Sequence, residues 1–208
     1  MRITNEILRS FLHCQYKAYR FLKSDERTAT EYDELFTILK QKQIDDYEKL
    51  QADNNKLKNK NTTIDSIAPK GISINIRAAF DNRDVIFDAI ESIKTKTIIP
   101  ILIIPGEKVS KTDKLFLSLQ SACLQAQYKI EYCKIVYGKG VKHARFRVST
   151  FAKQVKRVNA EIENLLSHSK APNISRNTHC SICEFQAECI QKLKDRDDLI
   201  LLYGLKPN

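Results

Sequence analysis

The spacing of apolar and polar positions changes along the chain, from helical at both ends to strand-like in the middle. Thr4 can cap a first helix whose apolar face carries Ile7, Leu8, Phe11 and Leu12, and this helix delivers Cys14 near its end. A second helical period runs from about Thr30 to Lys56, with Leu35, Phe36, Leu39, Tyr47 and Leu50 on one side. "NNKLKNKNTT", from Asn54, has no apolar period and is expected to be a polar, mobile connection. The period then drops to two. "GISINIRAAF" from Gly71 alternates as a strand does, and "DVIFDAIESI" from Asp84 reads as a second strand. "TIIPILIIPG" is a buried strand by its β-branching, closed by Pro105 and Gly106. Thr112 can cap a helix through "DKLFLSLQSACLQAQY". "KIEYCKIVYG" and "VKHARFRVS" follow as two strands of a hairpin turned around Gly138-Lys139-Gly140. A last amphipathic helix uses Phe151, Val155, Val158, Ile162 and Leu165, after which "SHSKAPN" leads into a cysteine-rich segment. Helices at both ends around mixed strands predict an α/β domain with a central mixed sheet flanked by helices. The expected layout is one domain over residues 1–208: a helical part at 1–60, a sheet core at 70–150, and a C-terminal helix with the cysteines at 151–208.

Length and composition change this picture little. A chain of 208 residues with 42% apolar and 29% charged residues can bury one sizeable core. The longest apolar run, "TIIPILIIP", is too short to cross a bilayer, and Arg9, Lys17 and Arg20 interrupt the N-terminal apolar stretches, so no signal peptide or membrane span is expected. The expected location is intracellular, in the cytoplasm, where clustered cysteines serve as metal ligands or redox groups more than as structural disulfides.

Charge changes it more. The net charge is +10, and the stretch from Tyr132 to Ala160 contains no Asp or Glu. It holds Lys134, Lys139, Lys142, Arg145, Arg147, Lys153, Lys156 and Arg157. An uncompensated basic face attracts phosphate and releases counterions, which points to a nucleic acid partner. The competing reading is a solvated, lysine-rich surface.

The most specific feature lies near the C-terminus. "HCSICEFQAEC" sets Cys180, Cys183 and Cys189 in a C-x2-C-x5-C pattern. The close pair brings two sulfurs to one centre and the third returns after about a turn and a half of helix. Iron–sulfur clusters and structural zinc both take four ligands, so a fourth is expected. Cys14 is the best candidate, because its helix can dock beside the C-terminal segment; His179 adjoins the triplet and could serve if the metal were zinc. Cys123 and Cys133 read as small core residues.

This layout of one cysteine near the N-terminus and three near the C-terminus resembles the iron–sulfur branch of the RecB-like nucleases, of PD-(D/E)XK, restriction-endonuclease-like fold. That branch includes the Cas-four exonucleases, the AddB nuclease domain and RecB-like domains joined to helicases. "ITNEILRSFLHCQYKAYR" is similar to its first helix and leading cysteine, "HCSICEFQAEC" to its terminal triplet, and "DDLILLYGL" to the segment that follows in helicase-linked members. The resemblance implies that Cys14, Cys180, Cys183 and Cys189 hold a [4Fe–4S] cluster that fastens the chain ends together, with zinc as the alternative. It implies DNA as partner, single-stranded or at duplex ends, and Mg²⁺ or Mn²⁺ if the enzyme is active.

The family chemistry uses an Asp on one strand and (D/E)-x-K on the next, where a spacing of two puts acid and lysine on one face. Asp88 in "VIFDAIES" stands where the metal-binding Asp is expected. The next strand, "IIPILIIPGEKVSK", has no (D/E)-x-K; its nearest acid and base are Glu107 with Lys108 or Lys111, and Glu91 with Lys94 form another imperfect pair. The family's helix-borne histidine is missing from "KQKQIDDYEKL", where Ile44 and Asp45 stand in the expected place. Gln120 resembles the glutamine of the family's Q-x-x-x-Y helix motif, with Leu124 in place of the tyrosine. The scaffold and the cysteine clip are thus expected to be retained and the catalytic site eroded. Three readings follow: a nuclease that binds DNA through its basic hairpin and following helix and works through Asp88 and Glu107, with Lys108 or Lys111 as electrostatic helper; a non-catalytic DNA-binding or assembly module partnering a helicase; and a zinc-stapled nucleic-acid-binding protein. No G-x-x-x-x-G-K-[ST] phosphate cradle is present, so the chain is not itself expected to be a motor.

Overall fold

A computed structural model describes residues 2–23, 29–167 and 170–201. His168 and the part of "DDLILLYGL" from position 202 onward lie outside them.

The N-terminal helices form around a built-in break. The Thr4 hydroxyl accepts the Ile7 N–H at 3.4 Å and opens α1 (Asn5–His13). Cys14 then takes an extended conformation, φ −158° and ψ 118°, and α2 (Gln15–Leu22) restarts beyond it. The first cysteine therefore sits at a helix joint. A full capping box, in which Thr30 and Asp33 satisfy each other's backbone N–H, starts the long helix α3 (Glu31–Asp53).

One mixed sheet forms the centre, in the order β2-β3-β4-β5-β6-β7 (Leu57–Thr63, Gly71–Phe80, Arg83–Lys94, Thr97–Ile103, Tyr132–Tyr137, Lys142–Arg147), with the short β1 (Ile3–Thr4) pairing β4. β2–β3 and β5–β6 are parallel, and the other neighbouring pairs in that order are antiparallel. The parallel step from β5 to β6 is bridged by α4 (Lys111–Ala122), as a parallel crossover requires. After β7 the chain enters α5 (Ala152–Ser167), then a 3₁₀ turn (Thr178–Ile182) and α6 (Gln186–Asp195).

The main core joins one side of the sheet to α1, α2, α4 and α5 through Ile7, Leu8, Phe11, Leu22, Phe116, Leu117, Val158 and Ile162. A smaller cluster puts Tyr47 of α3 over Ile72, Ile74, Ala89, Ile101 and Ile103. The expected α/β architecture, with a mixed central sheet between helices, is what the structure shows.

Three local expectations need correction. "NNKLKNKNTT" is no loop: from Leu57 it is the edge strand β2, paired in parallel with β3. An edge strand needs only one hydrogen-bonded neighbour and little apolar content, so its polar sequence hides it. The expected apolar face of α3 is rotated. Leu35, Leu39 and Leu50 are 55%, 45% and 40% exposed, and the inward stripe is Phe36, Lys40, Ile44, Tyr47 and Gln51. Finally, Ser110 rather than Thr112 caps α4, in a capping box with Asp113, and the helix ends at Ala122.

Candidate functional site

Two neighbouring cavities share a wall built from the cysteine segment. The smaller, about 30 Å³, is lined by Cys14, Cys180, Cys183 and Cys189 together with Tyr16, Lys17, His179, Phe185 and Leu193. The helix joint brings Cys14 in from one end of the chain; the 3₁₀ turn and α6 bring the other three from the opposite end. Burial pushes the Cys189 thiol up to about 11, and the charges of Cys183, Cys14, Glu188 and Cys180 push the same way, so the four sulfurs feel one another. All six cysteines are free thiols. Among the described residues no group of three His, Cys, Asp or Glu side chains is arranged to hold a metal ion. The four thiols thus face one cavity without closing onto one point.

Buried polar contacts hold this clip to α1 and α2. Lys17 and Glu184 form an ion pair at 2.7 Å, with side chains only 9% and 4% exposed. Lys17 Nζ also lies 3.4 Å from His179 Nε2, and the His179 ring stacks on His13 at 4.6 Å and 12°. Both imidazoles lie below the ordinary histidine range. Burial is the main cause for each; the neighbouring His179, Arg9 and Lys17 add to it at His13, which falls to about 4, and Lys17 adds to it at His179. Asn177 Nδ2 donates to the His13 carbonyl at 2.9 Å, and Arg20 pairs with Glu188 at 2.6 Å.

The larger cavity, about 500 Å³, opens between α1, α3, α4 and the sheet. Its lining includes Asn5, Glu6, Arg9, His13, Lys17, Asp33, Phe36, Lys40, Asp88, Leu102, Gln120 and His179. That size suits a small ligand or one end of a longer one. The Arg9 guanidinium lies between two rings, 4.6 Å from Phe116 and 5.5 Å from Phe36.

Asp88 lies in the floor of this cavity, where the sheet ladder is interrupted on both sides. On the β3 side the register passes from Ile74–Ala89 to Ile76–Phe87 without a bridge between, and Asn75 there has φ 55°. On the β5 side the pairing stops at Ala89–Ile101, and the Ile103 N–H goes to Asp88 Oδ2 at 2.7 Å. The other carboxylate oxygen, Oδ1, is 2.7 Å from Lys40 Nζ. Continuing the β4–β5 register by one residue sets Leu102 across from Asp88. Leu102 is 2% exposed, and both it and Ile104 belong to the main core.

The site expected from sequence is therefore only partly assembled. Asp88 and Gln120 share the cavity; Gln120 donates to Asn5 Oδ1 at 2.9 Å and to the Ile86 carbonyl at 3.1 Å. Glu107 and Lys108 are not among the lining residues. Glu107 Oε1 instead accepts the Lys139 N–H at 3.3 Å at the tip of the β6–β7 hairpin, and Lys108 is exposed. Glu91 pairs with Lys134 at 2.5 Å rather than with Lys94. Ile44 packs against the smaller core, and Asp45 accepts from Gln41. The helix residue that reaches Asp88 is Lys40, one turn earlier. Stepping back from Tyr47 by helical periods gives Ile44 and then Lys40, and this was the signal for it in the sequence. Arg9 and the Lys17–Glu184 pair carried no such signal, because their partners are distant in the chain. Asp88, already paired with a lysine and faced by leucine, does not by itself supply the ligands a Mg²⁺ or Mn²⁺ ion takes.

The basic residues divide in the same way. Lys139, Lys142, Arg145, Arg147, Lys153, Lys156 and Arg157 are exposed on the hairpin and α5. Arg145 lies over the Tyr132 ring at 3.8 Å, and Arg147 Nε donates to the Tyr132 hydroxyl at 3.3 Å. Arg157 has an acidic neighbour, Glu161, at 3.6 Å. Lys134 is bound to Glu91 and is less available than sequence suggested.

No family model matches the chain, and none of the curated proteins matches it. Six chains among the solved structures do. One of them, the crystal structure of SSO0001, superposes with a TM-score of 0.52 over 90% of this chain and 85% of that one, at 17% identity. At that identity the likeness is one of fold. No helix among the described residues is long and apolar enough to cross a membrane.

Proposed function

We propose that this chain is a cytoplasmic DNA-binding protein of the RecB-like nuclease fold whose hydrolytic metal site has been dismantled and whose chain ends are held by a four-cysteine iron–sulfur cluster. The observation that carries the reading is the floor of the larger cavity, where Asp88 survives but Leu102 faces it and Lys40 neutralises it. An in-line phosphate hydrolysis of this type needs acids that hold a divalent ion and a water together. These residues do not fit that ion.

The cysteine set does fit a cluster. Four thiols from the two ends of the chain line one cavity. Both a [4Fe–4S] cluster and a structural zinc take four such ligands, and the likeness of the cysteine layout to the iron–sulfur branch favours the cluster. Bound there, the cluster would cross-link the α1–α2 joint to the C-terminal segment and so hold one wall of the larger cavity in place. Lys17, Glu184, His13 and His179 align that wall from the protein side.

DNA binding is supported by exposed cations on β7 and α5 with few acidic neighbours. β7 is also the sheet's last strand, where charged side chains discourage edge-to-edge association without any ligand. One experiment separates the two uses. Fluorescence anisotropy of a labelled single-stranded oligonucleotide, read against rising salt, should show binding that weakens steeply for the wild type. Arg145→Ala/Arg147→Ala should bind more weakly and with a smaller salt slope. No binding at low salt, or binding indifferent to both arginines, would overturn the reading. Iron and acid-labile sulfide in anaerobically purified protein test the cluster; zinc without either would replace it.

A further inference from the structure

The cavity floor raises a question that loss of catalysis does not answer. Asp88 is only 11% exposed, and a buried carboxylate needs a counter-charge wherever it came from. When a site of this kind loses its second acid, the remaining one is expected to be lost too, or to become protonated. Here it has kept a full set of partners instead. Lys40 Nζ lies 2.7 Å from Oδ1, and the Ile103 N–H donates to Oδ2 at 2.7 Å. Lys40 comes from the inward stripe of α3, held by Tyr47 two turns on, while its own side chain is 23% exposed and lines the cavity. Around Asp88 the helix thus supplies an ammonium, and the strand position across from it, Leu102, supplies an aliphatic group.

We propose that the Lys40 ammonium is a built-in cation occupying the place of a divalent metal ion, so that the cavity floor stays charge-balanced and divalent-independent. The inference rests on the nuclease-fold reading for the place of the ion, but not on any interaction with DNA. It makes Asp88 a structural residue, whose function is to anchor α3 to the point where β4 and β5 separate. It also explains why Leu102, across from this half-buried pair, is apolar: with a tethered cation, a second acid would leave surplus negative charge.

Two measurements test this on the purified, cluster-containing protein. The first is a double-mutant cycle by urea unfolding with Lys40→Met, Asp88→Asn and the combination. Lys40→Met should raise the unfolding equilibrium constant about tenfold in the wild-type background and far less once Asp88 is Asn. An equal loss in both backgrounds would overturn the proposal. The second is Mn²⁺ binding, read by electron paramagnetic resonance. Removing the tethered cation and supplying ligands in Lys40→His/Leu102→Glu should raise Mn²⁺ affinity about tenfold or more over wild type. A wild type that already binds Mn²⁺ as tightly, or a folded double variant that gains nothing, would refute it. Should that variant not fold, the cycle alone decides. Neither measurement involves DNA, so failure of the DNA-binding reading would be seen separately.

Discussion

Replacing Lys17 by Met probes how the clip is attached to the rest of the fold. The side chain keeps its length and apolar stem but loses its charge. In the native structure that charge is 2.7 Å from Glu184, and the two side chains are 9% and 4% exposed. Lys17 also contacts His179 Nε2 at 3.4 Å and lies 5.8 Å from the Phe21 ring centre. Water reaches the pair poorly, so breaking it by removing one partner costs about 3–5 kcal/mol. The loss should appear as a lower urea midpoint with an unchanged slope, followed by far-UV circular dichroism on anaerobic protein. Lys17→Met/Glu184→Leu should recover most of it, because an apolar pair replaces the ionic one without leaving a charge behind. A loss below about 1 kcal/mol, as for solvent-exposed pairs, would refute the claim that this contact is desolvated and structural.

Two further outcomes follow from particular side chains. Lys134→Met should lower stability and leave DNA affinity nearly unchanged, because its ammonium is committed to Glu91 at 2.5 Å; anisotropy and thermal melting on the same sample check this, and a marked loss of affinity would contradict it. Burial pushes the Cys133 thiol up to about 12, only partly offset by the Ser121 hydroxyl, so it stays protonated at mildly alkaline pH. It should therefore resist alkylation by iodoacetamide until the protein unfolds, as peptide mass spectrometry would show, whereas rapid native labelling would contradict its burial.

What could be read from the chain depended on how local its cause was. β3, β4 and β5 were legible because alternation and β-branching survive in sequence, and the cysteine triplet because its members lie within a turn or two of each other. β2 was not legible, since an edge strand made of Lys, Asn and Thr carries no apolar period and is defined by its partner β3. The face of α3 was misread because leucines dominate its outer side, whereas the inner side holds Lys40 and Gln51, placed there by the cavity and the sheet. Asp88 was singled out by the family resemblance, which expects an Asp on that strand. Its partners, a helix lysine 48 residues earlier and a backbone N–H 15 residues later, are products of the fold. That the strand after Asp88 lacks an acid was visible in sequence, but only the β4–β5 register shows that Leu102 is the residue across from Asp88.

The most direct test of the central claim uses anaerobically purified wild-type protein, incubated with end-labelled single-stranded DNA and Mn²⁺, scored for binding and cleavage together and with Asp88→Ala alongside. A DNA-binding nuclease fold without a metal site predicts a retained, salt-sensitive complex and full-length DNA with both proteins. Shortened DNA in the wild type that disappears with Asp88→Ala would contradict it, and would mean that Asp88 still serves in hydrolysis despite Lys40 and Leu102.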